Sequence, residues 1–463
     1  MTRTSMPKRG NLISRSALGV ALALGVVAGG MAVATPAIAK KAPKVALSKG
    51  FTEAAIPAQK AIDEAKKRSD VVTAKANLDA AYQRQDPKTV EAAQAALAAT
   101  LTSEKALIEQ AFAAVENDDD RFMAGNLAVS FGSLADNNVM QRRGLEAMLA
   151  SGKAAPEQVP QFTFFVGQIA YVQKDYANAI RSLQSAIDGG YRENNAEVLL
   201  AEALIASNQG AKGLSVLKHA IESASAGGQN VPEGWYRRGL GTAYNLKSLD
   251  SAVYFGSKMV KAYPNTDNWA GAITIVRELG SYGSQETLDL MRLMDLTSSY
   301  AEERDYIEYI QAADSRRLPG EVLGVIEKGL ASGKLRLSDS YVTDARTQAQ
   351  GRMATDKASL AGYTRDAKSP GTSVATITGA ADALLSYKQP ADAEALYALA
   401  LGKPGVDAPR VLTRLGIAQV MQGKNAEAQQ TLAKVTGERK PIAELWATYA
   451  SMKAAPAAAP AAQ

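Results

Sequence analysis

The chain has 463 residues, with 52 Lys and Arg, 47 Asp and Glu, one His and no Cys. The lack of Cys excludes disulfides, thiolate metal sites and cysteine nucleophiles, and a single His excludes any mechanism that needs two imidazoles. All the charge of the first 39 residues is basic, so residues 40–463 hold 48 basic and 47 acidic side chains. A net charge near +1 argues against nucleic acid as a partner. The length exceeds that of a typical domain, which predicts several domains or a repeat array.

Residues 1–39 have the pattern of a signal peptide. A basic start precedes an apolar run over residues 17–34, and a small-x-small site ends at Ala39. The alternative is an uncleaved membrane anchor, because 18 apolar residues approach the length of a membrane span. Four Gly within the run and the well-formed cleavage site favour removal between Ala39 and Lys40. We therefore expect a periplasmic protein exported through a Sec-type signal peptide, with no stable membrane span after the leader is removed.

The next segments predict a linker and a helical region. Residues 40–49 are a short basic linker, and residues 50–118 show apolar residues at the 3.6-residue spacing of two or three Ala-rich helices. Three consecutive Asp residues follow, at positions 118–120. They lack the ligand spacing and the glycine of a calcium loop, so we expect them to cap a helix that begins at Arg121.

From residue 121 to residue 439 the chain repeats a helix–turn–helix pattern. In the clearest unit, residues 161–190, the small residues Gly167 of the first helix and Ala179 and Ala186 of the second are expected to let the paired helices approach closely. The small first-helix residues that align across the units are Val129, Gly167, Ala201, Gly241, Ile275, Ile310, Ala381 and Gly416. One gap of about two repeats predicts a degenerate unit near residues 337–368, which gives about nine helical pairs.

This pattern resembles the tetratricopeptide repeat (TPR), a helix–turn–helix of about 34 residues. The resemblance covers about two-thirds of the chain and implies an all-α fold, a right-handed α-solenoid of stacked TPR-like repeats behind an N-terminal helical segment. Residues 441–453 look like a terminal capping helix. Residues 454–463, rich in Ala and Pro, are expected to be disordered.

In proteins of this family, the first helix of each repeat lines a concave groove that receives a peptide or a partner protein. Carrying those positions over gives the predicted groove residues Phe164, Gln168, Tyr171, Glu202, Trp235, Arg238, Thr242 and Asn245. The competing interpretation is that the aromatic members, Phe164 and Trp235, fill the seams between repeats.

No catalytic, cofactor or metal motif is present in the sequence, so we expect no catalytic residues, no cofactor and no metal. The resemblance implies a non-enzymatic scaffold for protein–protein interaction. An alternative is a glycan-binding or polysaccharide-export accessory protein. A weaker one is a solenoid-type peptidoglycan lytic enzyme, suggested by Glu222-Ser223 and Ala243-Tyr244-Asn245, although the short separation leaves no room for a catalytic domain. The single His219 lies late in a predicted second helix, where we expect a structural or surface role.

Overall fold

The computed structural model describes residues 45–454, which form 22 α-helices and no strand. Adjacent helices are paired, so the predicted all-α, TPR-like helical repeat architecture is confirmed. The predicted cleavage site at Ala39 and Lys40 and the predicted tail beyond residue 454 lie outside the described residues. In the described part, no helix combines the length and the apolar character that a membrane span requires.

The chain divides into two compact units, with the boundary between residues 223 and 224, inside a helix. The sequence did not predict this boundary. The helices of unit 1 are α1 (Lys49–Ala65), α2 (Ser69–Arg84), α3 (Pro87–Thr100), α4 (Thr102–Ala113), α5 (Asp118–Leu134), α6 (Asn138–Ala150), α7 (Val159–Val172), α8 (Tyr176–Asp188), α9 (Ala196–Ala206) and α10 (Gly210–Ala226, which crosses the boundary).

The N-terminal segment has four helices, α1–α4, where two or three were expected. Helix α5 begins at Asp118 rather than at Arg121, and its cap is Asn117, whose side chain accepts the N–H of Asp120 at 2.9 Å. The fully buried carboxylate of Asp120 instead accepts the N–H of Ser48 at 2.9 Å. The carboxylate cluster therefore fastens the start of the described chain to α5, which is a different role from the predicted helix cap.

A pentapeptide that occurs twice has the same structure both times. The sequence LASGK ends α6 at Leu149–Lys153 and ends a helix of unit 2 at Leu330–Lys334. In each copy the Ser hydroxyl donates to the carbonyl three residues earlier, at 2.6 Å for Ser151 and 3.0 Å for Ser332. The following Gly has a φ of 65° or 70°, a left-handed conformation that glycine adopts without strain.

The helices of unit 2 follow in the same alternating pattern. They are α11 (Glu233–Asn245), α12 (Leu249–Ala262), α13 (Thr266–Gly280), α14 (Ser284–Leu296), α15 (Glu303–Ala313), α16 (Pro319–Ala331), α17 (Ser340–Ala367), α18 (Val374–Ser386), α19 (Pro390–Leu401), α20 (Ala408–Met421), α21 (Asn425–Leu432) and α22 (Lys440–Ala454). The region near 337–368, expected to be a degenerate pair, is the single 28-residue helix α17, so residues 121–439 hold eight pairs and one long helix.

The last helix of unit 2 returns to the first helices of that unit. Helix α22 packs on α20 and α21, and it also packs on α12, α13 and α14. The Trp269 ring of α13 meets the Tyr449 ring edge-on, with centroids 6.0 Å apart. The indole N–H of Trp446 donates to the backbone carbonyl of Asp289 in α14 at 2.8 Å. Helix α22 therefore closes unit 2 on itself, which is more than the predicted capping of a solenoid end.

Close approach at glycine sets the register of the pairs. A Cβ on Gly167 would stand 2.8 Å from the side chain of Leu183, and the same relation, sixteen residues apart, joins Gly416 to Leu432 at 2.5 Å. In α11 the glycine that follows this rule is Gly239, where a Cβ would stand 2.3 Å from the ring of Phe255. The predicted position, Gly241, is exposed and has no neighbour within 4 Å. The predicted alignment was therefore wrong by two residues in this unit.

The approach between α5 and α6 brings backbone against backbone, and it gives a prediction. A Cβ on Gly144 would stand 2.5 Å from the carbonyl oxygen of Gly125 and 2.8 Å from the backbone nitrogen of Val129. Because backbone cannot move aside as a side chain can, Gly144→Ala should lower the free energy of unfolding by about 1–3 kcal/mol. The measurement is urea unfolding followed by circular dichroism.

The matched control is Gly351→Ala in α17, where a Cβ meets nothing within 4 Å. Here alanine should stabilise the protein by about 0.5–1 kcal/mol, because it favours the helix over the unfolded chain. Equal effects of the two substitutions would contradict close backbone packing at Gly144.

Candidate functional site

The predicted groove residues of unit 1 do not form one exposed surface. Phe164 is completely buried, and its ring stacks on Tyr191 with centroids 4.6 Å apart. Glu202 is also buried, with 6% of its surface exposed. These two residues are therefore part of the interior, and the packing alternative holds for Phe164.

Two of the predicted residues on α7 keep some access to solvent. Gln168 is half-buried, and its Oε1 is buried without a hydrogen-bond partner among the described residues. Tyr171 is also half-buried, and its ring lies 5.9 Å from the ring of Tyr176. An unpartnered buried amide oxygen costs free energy in the unliganded protein, so Gln168 remains a candidate contact for a partner.

The predicted residues on α11 come from the incorrect register. A shift of two residues rotates a helical position by about 200°, so Trp235, Arg238, Thr242 and Asn245 do not occupy the face that corresponds to Phe164 on α7. Thr242 is buried with 5% exposed, Trp235 and Arg238 are half-buried, and Asn245 is exposed. Within the two units, Phe164, Glu202 and Thr242 are therefore interior residues, and the other five predicted residues keep some access to solvent.

A groove that the sequence did not predict lies among three helices of unit 1. Its floor is formed by Leu200 and Leu204 of α9, which are 3% and 6% exposed. Its walls are the second helices of two successive pairs, α8 and α10, and its volume is about 690 Å³. The wall residues are Ile180, Arg181, Gln184, Ser185 and Asp188 from α8, Gln209 from the turn before α10, and Lys212, Ser215 and Val216 from α10.

The rim of this groove is polar and exposed. Its positively charged side chains form no ion pairs in the described part of the chain. Gln184 donates to the carboxylate of Asp188 at 2.9 Å, so Asp188 already has a partner. Lys212 contacts the amide oxygen of Gln209 at 3.3 Å. The guanidinium of Arg181 makes no hydrogen bond or ion pair with any residue in the described part of the chain. The accessible surface of the groove is therefore mostly polar, with the aliphatic side chains of Ile180 and Val216 half-buried between the polar residues.

The most densely charged place in unit 2 is a buried cluster centred on Asp289. Its carboxylate, completely buried, receives Arg439 of the segment before α22 at 2.6 Å, Arg414 of α20 at 3.1 Å and Arg292 of α14 at 3.3 Å. Arg292 also forms a two-pronged pair with Glu321 of α16 at 2.7 and 2.8 Å. Since these charges are removed from water, each must be neutralised within the protein.

The same cluster continues to Asp382 of α18. Arg414 reaches this carboxylate at 2.6 Å, Arg410 reaches it at 3.0 Å, and the Tyr397 hydroxyl donates to it at 2.7 Å. Burial acts to raise the pKa of Asp382, but the charge of Arg414, followed by those of Arg292 and Arg410, outweighs burial and holds the pKa below its usual value. Asp382 therefore stays ionised and is not poised to transfer a proton.

The remaining titratable candidates also have structural or surface settings. His219 is exposed and lies 3.0 Å from Glu197. Glu222 is exposed on α10. The hydroxyl of Tyr244 hydrogen bonds to Glu278, and this bond raises the pKa of Tyr244. Among residues 45–454, no three acidic or His side chains are grouped so as to hold a metal ion.

Comparisons with known proteins do not assign a family. No family model matches the chain, and no curated protein matches it. The TPR2AB-domain:pHSP90 complex of yeast Sti1 is similar at 15% identity, covering 64% of this chain and 95% of that chain, with a TM-score of 0.23. The structure of Naa15/Naa10 bound to HypK-THB is similar at 12% identity, covering 85% of this chain and 70% of that chain, with a TM-score of 0.24. The human IFIT1 dimer with PPP-AAAA is similar at 13% identity, covering 84% of this chain and 94% of that chain, with a TM-score of 0.21. At these TM-scores the repeat architecture rests on the helix pairs of the chain itself.

The buried cluster gives a prediction about the stability of unit 2. Asp289→Asn removes the one carboxylate that Arg292, Arg414 and Arg439 share, so buried guanidinium charge is left uncompensated. The free energy of unfolding should fall by about 3–5 kcal/mol. All three Trp of the chain, at 235, 269 and 446, lie in unit 2, so Trp fluorescence during urea unfolding reports on this unit.

The matched control is Glu444→Gln on α22, whose ion pair with Lys440 is 3.6 Å long and exposed. It makes the same acid-to-amide change in the same unit and should alter stability by less than about 1 kcal/mol. A loss for the Asp289 variant no larger than that of the control would show that the cluster does not stabilise unit 2.

Proposed function

We propose that the protein is a non-enzymatic, TPR-like interaction protein of the bacterial periplasm, and that unit 1 binds a partner protein. The observation that carries the proposal is the groove between α8 and α10, which has a buried aliphatic floor and an exposed polar rim. The charged cluster of unit 2 around Asp289 and Asp382, in contrast, is paired within the interior. The proposal thus assigns binding to unit 1.

The alternatives receive less support from the geometry. Sugar-binding grooves use exposed aromatic faces, and none of the residues that line the α8–α10 groove is aromatic. A lytic enzyme needs a carboxyl group held in an environment that keeps it protonated, whereas Glu222 is exposed. Arg181 and Lys212 are too few cations to follow a nucleic-acid backbone.

The periplasmic location rests on the leader pattern and has its own test. When the full chain is expressed in its bacterial host, the periplasmic fraction should contain a protein whose first residue is Lys40, because Ala39 completes the small-x-small cleavage site. Intact-mass measurement of the purified protein checks this. Recovery of the uncleaved chain from the membrane fraction would favour the anchor instead.

The binding proposal is tested by filling the groove. Ser215 is an exposed residue of its wall, so Ser215→Trp puts a large ring into the groove without disturbing the interior. Residues 40–463 with an affinity tag are used to capture proteins from a cell-envelope extract, and bound proteins are quantified by mass spectrometry. A specific partner of the unmodified chain should be captured at least about tenfold less well by the variant, a loss of about 1.4 kcal/mol.

Two comparison variants identify the surface that binds. Ala211→Trp places the same ring on an exposed position of α10 that does not line the groove, and it should leave capture unchanged. Gln168→Ala reports on the surface of α7. Loss of capture with Gln168→Ala but not with Ser215→Trp would move the partner to α7, and unchanged capture with both would remove the support for unit 1.

A further inference from the structure

The N-terminal segment is a bent two-helix hairpin whose two halves are held differently. Helices α1 and α4 pack on each other and both pack on α5, whereas α2 and α3 pack mainly on each other. The side chains that the α2–α3 half buries are Val71, Ala74, Leu78 and Ala81 of α2 and Leu97 of α3. Because two of these five are Ala, this half gains less free energy from burial than a helix pair with larger side chains.

Both sides of the hairpin are interrupted at the same level. Residues 66–68 separate α1 from α2, and Leu101 alone separates α3 from α4. The guanidinium of Arg68 joins the two interruptions, because it donates to the carboxylate of Glu104 at 2.7 Å and to the carbonyl of Thr100. A chain bends more easily where a helix is interrupted, since the intrahelical hydrogen bonds are missing there. Residues 66–68 and Leu101 therefore form a hinge between the two halves of the hairpin.

A single carboxylate fastens the α2–α3 half to the turn between α5 and α6. The Oδ2 of Asp136 accepts the hydroxyl of Tyr82 in α2 at 2.6 Å and the side-chain N–H of Gln94 in α3 at 2.7 Å. Asp136 has a φ of 49°, and Lys174 and Lys247 have the same left-handed conformation in the turns of later pairs. The turn itself therefore needs no carboxylate, and the bonds of Asp136 to both helices of the hairpin explain the residue at this position.

We propose that α2 and α3 form a hinged arm that opens as one body, and that Asp136 is the latch that keeps the arm closed. The inference goes beyond the proposed function, because no residue of the arm lines the α8–α10 groove. Phe131 and Leu134 of α5 belong to the same buried apolar cluster as Leu78 of the arm. Opening of the arm uncovers that face of α5, so the bonds of Asp136 control access to it.

The chain contains no Cys, so a single introduced thiol reports on opening. A buried thiol reacts with a disulfide reagent in solution only while its surroundings are open. Ala81→Cys places the thiol on the arm, Ala58→Cys places it on α1 across the hinge, and Ala170→Cys places it in α7. All three alanines are at most 2% exposed. In residues 40–463, the thiol at position 81 should react at least about tenfold faster than those at 58 and 170, because the arm opens while the rest stays folded. Ala74→Cys is a second reporter on the arm.

Removing the latch should speed the reaction at position 81 further. Asp136→Gly deletes the carboxylate where φ is positive, a conformation that glycine adopts without strain, so the turn stays intact. Added to Ala81→Cys, it should raise the reaction rate at least about tenfold, since two hydrogen bonds to a charged acceptor are lost. Tyr82→Phe removes one of these bonds and should give a smaller increase. The matched control is Lys174→Gly, which puts glycine at the left-handed turn position of the α7–α8 pair and should leave the rate at position 81 unchanged.

Three results would overturn the proposal, each in variants whose circular dichroism spectrum is unaltered. Equal rates at positions 81 and 170 mean that α2 and α3 open only when unit 1 unfolds. Equal rates at positions 81 and 58 mean that the whole N-terminal segment moves and that there is no hinge. A rate at position 81 that Asp136→Gly leaves unchanged means that Asp136 is not the latch. None of these results bears on the α8–α10 groove, so the proposed function is tested separately.

Discussion

The fold of unit 2 depends on one buried carboxylate. Asp289 pairs with Arg414 and Arg439, which follow it by 125 and 150 residues, and so it joins the middle of the unit to its end. Burying ions is costly unless the partners are in place, and α20 and the segment before α22 supply two of the three guanidinium groups around Asp289, the third being Arg292 of its own helix. Two helices in hydrophobic contact can shift relative to each other at small cost, but the ion pairs of Asp289 with Arg414 and Arg439 hold only in one alignment. The cluster therefore favours one closed arrangement of unit 2 over the many in which α22 packs elsewhere.

Close packing of helices is the second constraint, and it acts within each pair. A glycine in the first helix contacts the residue sixteen positions later, in the second helix of the same pair. The three examples are Gly167 with Leu183, Gly239 with Phe255 and Gly416 with Leu432. The partner is a large side chain each time, so the small and the large residue together fill one interlayer space. A repeat that keeps this relation keeps its register even where the rest of its sequence has diverged.

These two constraints explain what could be predicted from the sequence. The helix pairs were predictable because a 3.6-residue period and a helix–turn–helix spacing are local signals. The register of α11 was not, because Gly239 and Gly241 flank Leu240 and only the position of Phe255 decides between them. The cluster around Asp289 was not predictable either, because isolated Asp and Arg residues on different helices look like solvent-exposed charges. Likewise, no local signal in residues 337–368 shows that this region forms the single helix α17 and not two helices joined by a turn.

The difference between the two units bears on where a partner binds. In α14 every residue from Leu288 to Met294 is buried, because unit 2 supplies its own partner helices, α20 and α22. In unit 1, α9 is buried in the same way from Val198 to Leu204, and its Leu200 and Leu204 lie beneath a groove about 690 Å³ in volume. The same kind of aliphatic surface is thus covered by the chain itself in both units, and what the groove leaves exposed is its polar rim. The two units differ instead in their charges. The guanidinium groups around Asp289 are buried and paired, whereas Arg181 and Lys212 of the groove are exposed and take part in no ion pair in the described part of the chain. An approaching partner meets unpaired charge at that rim, which is why the proposed function places binding in unit 1.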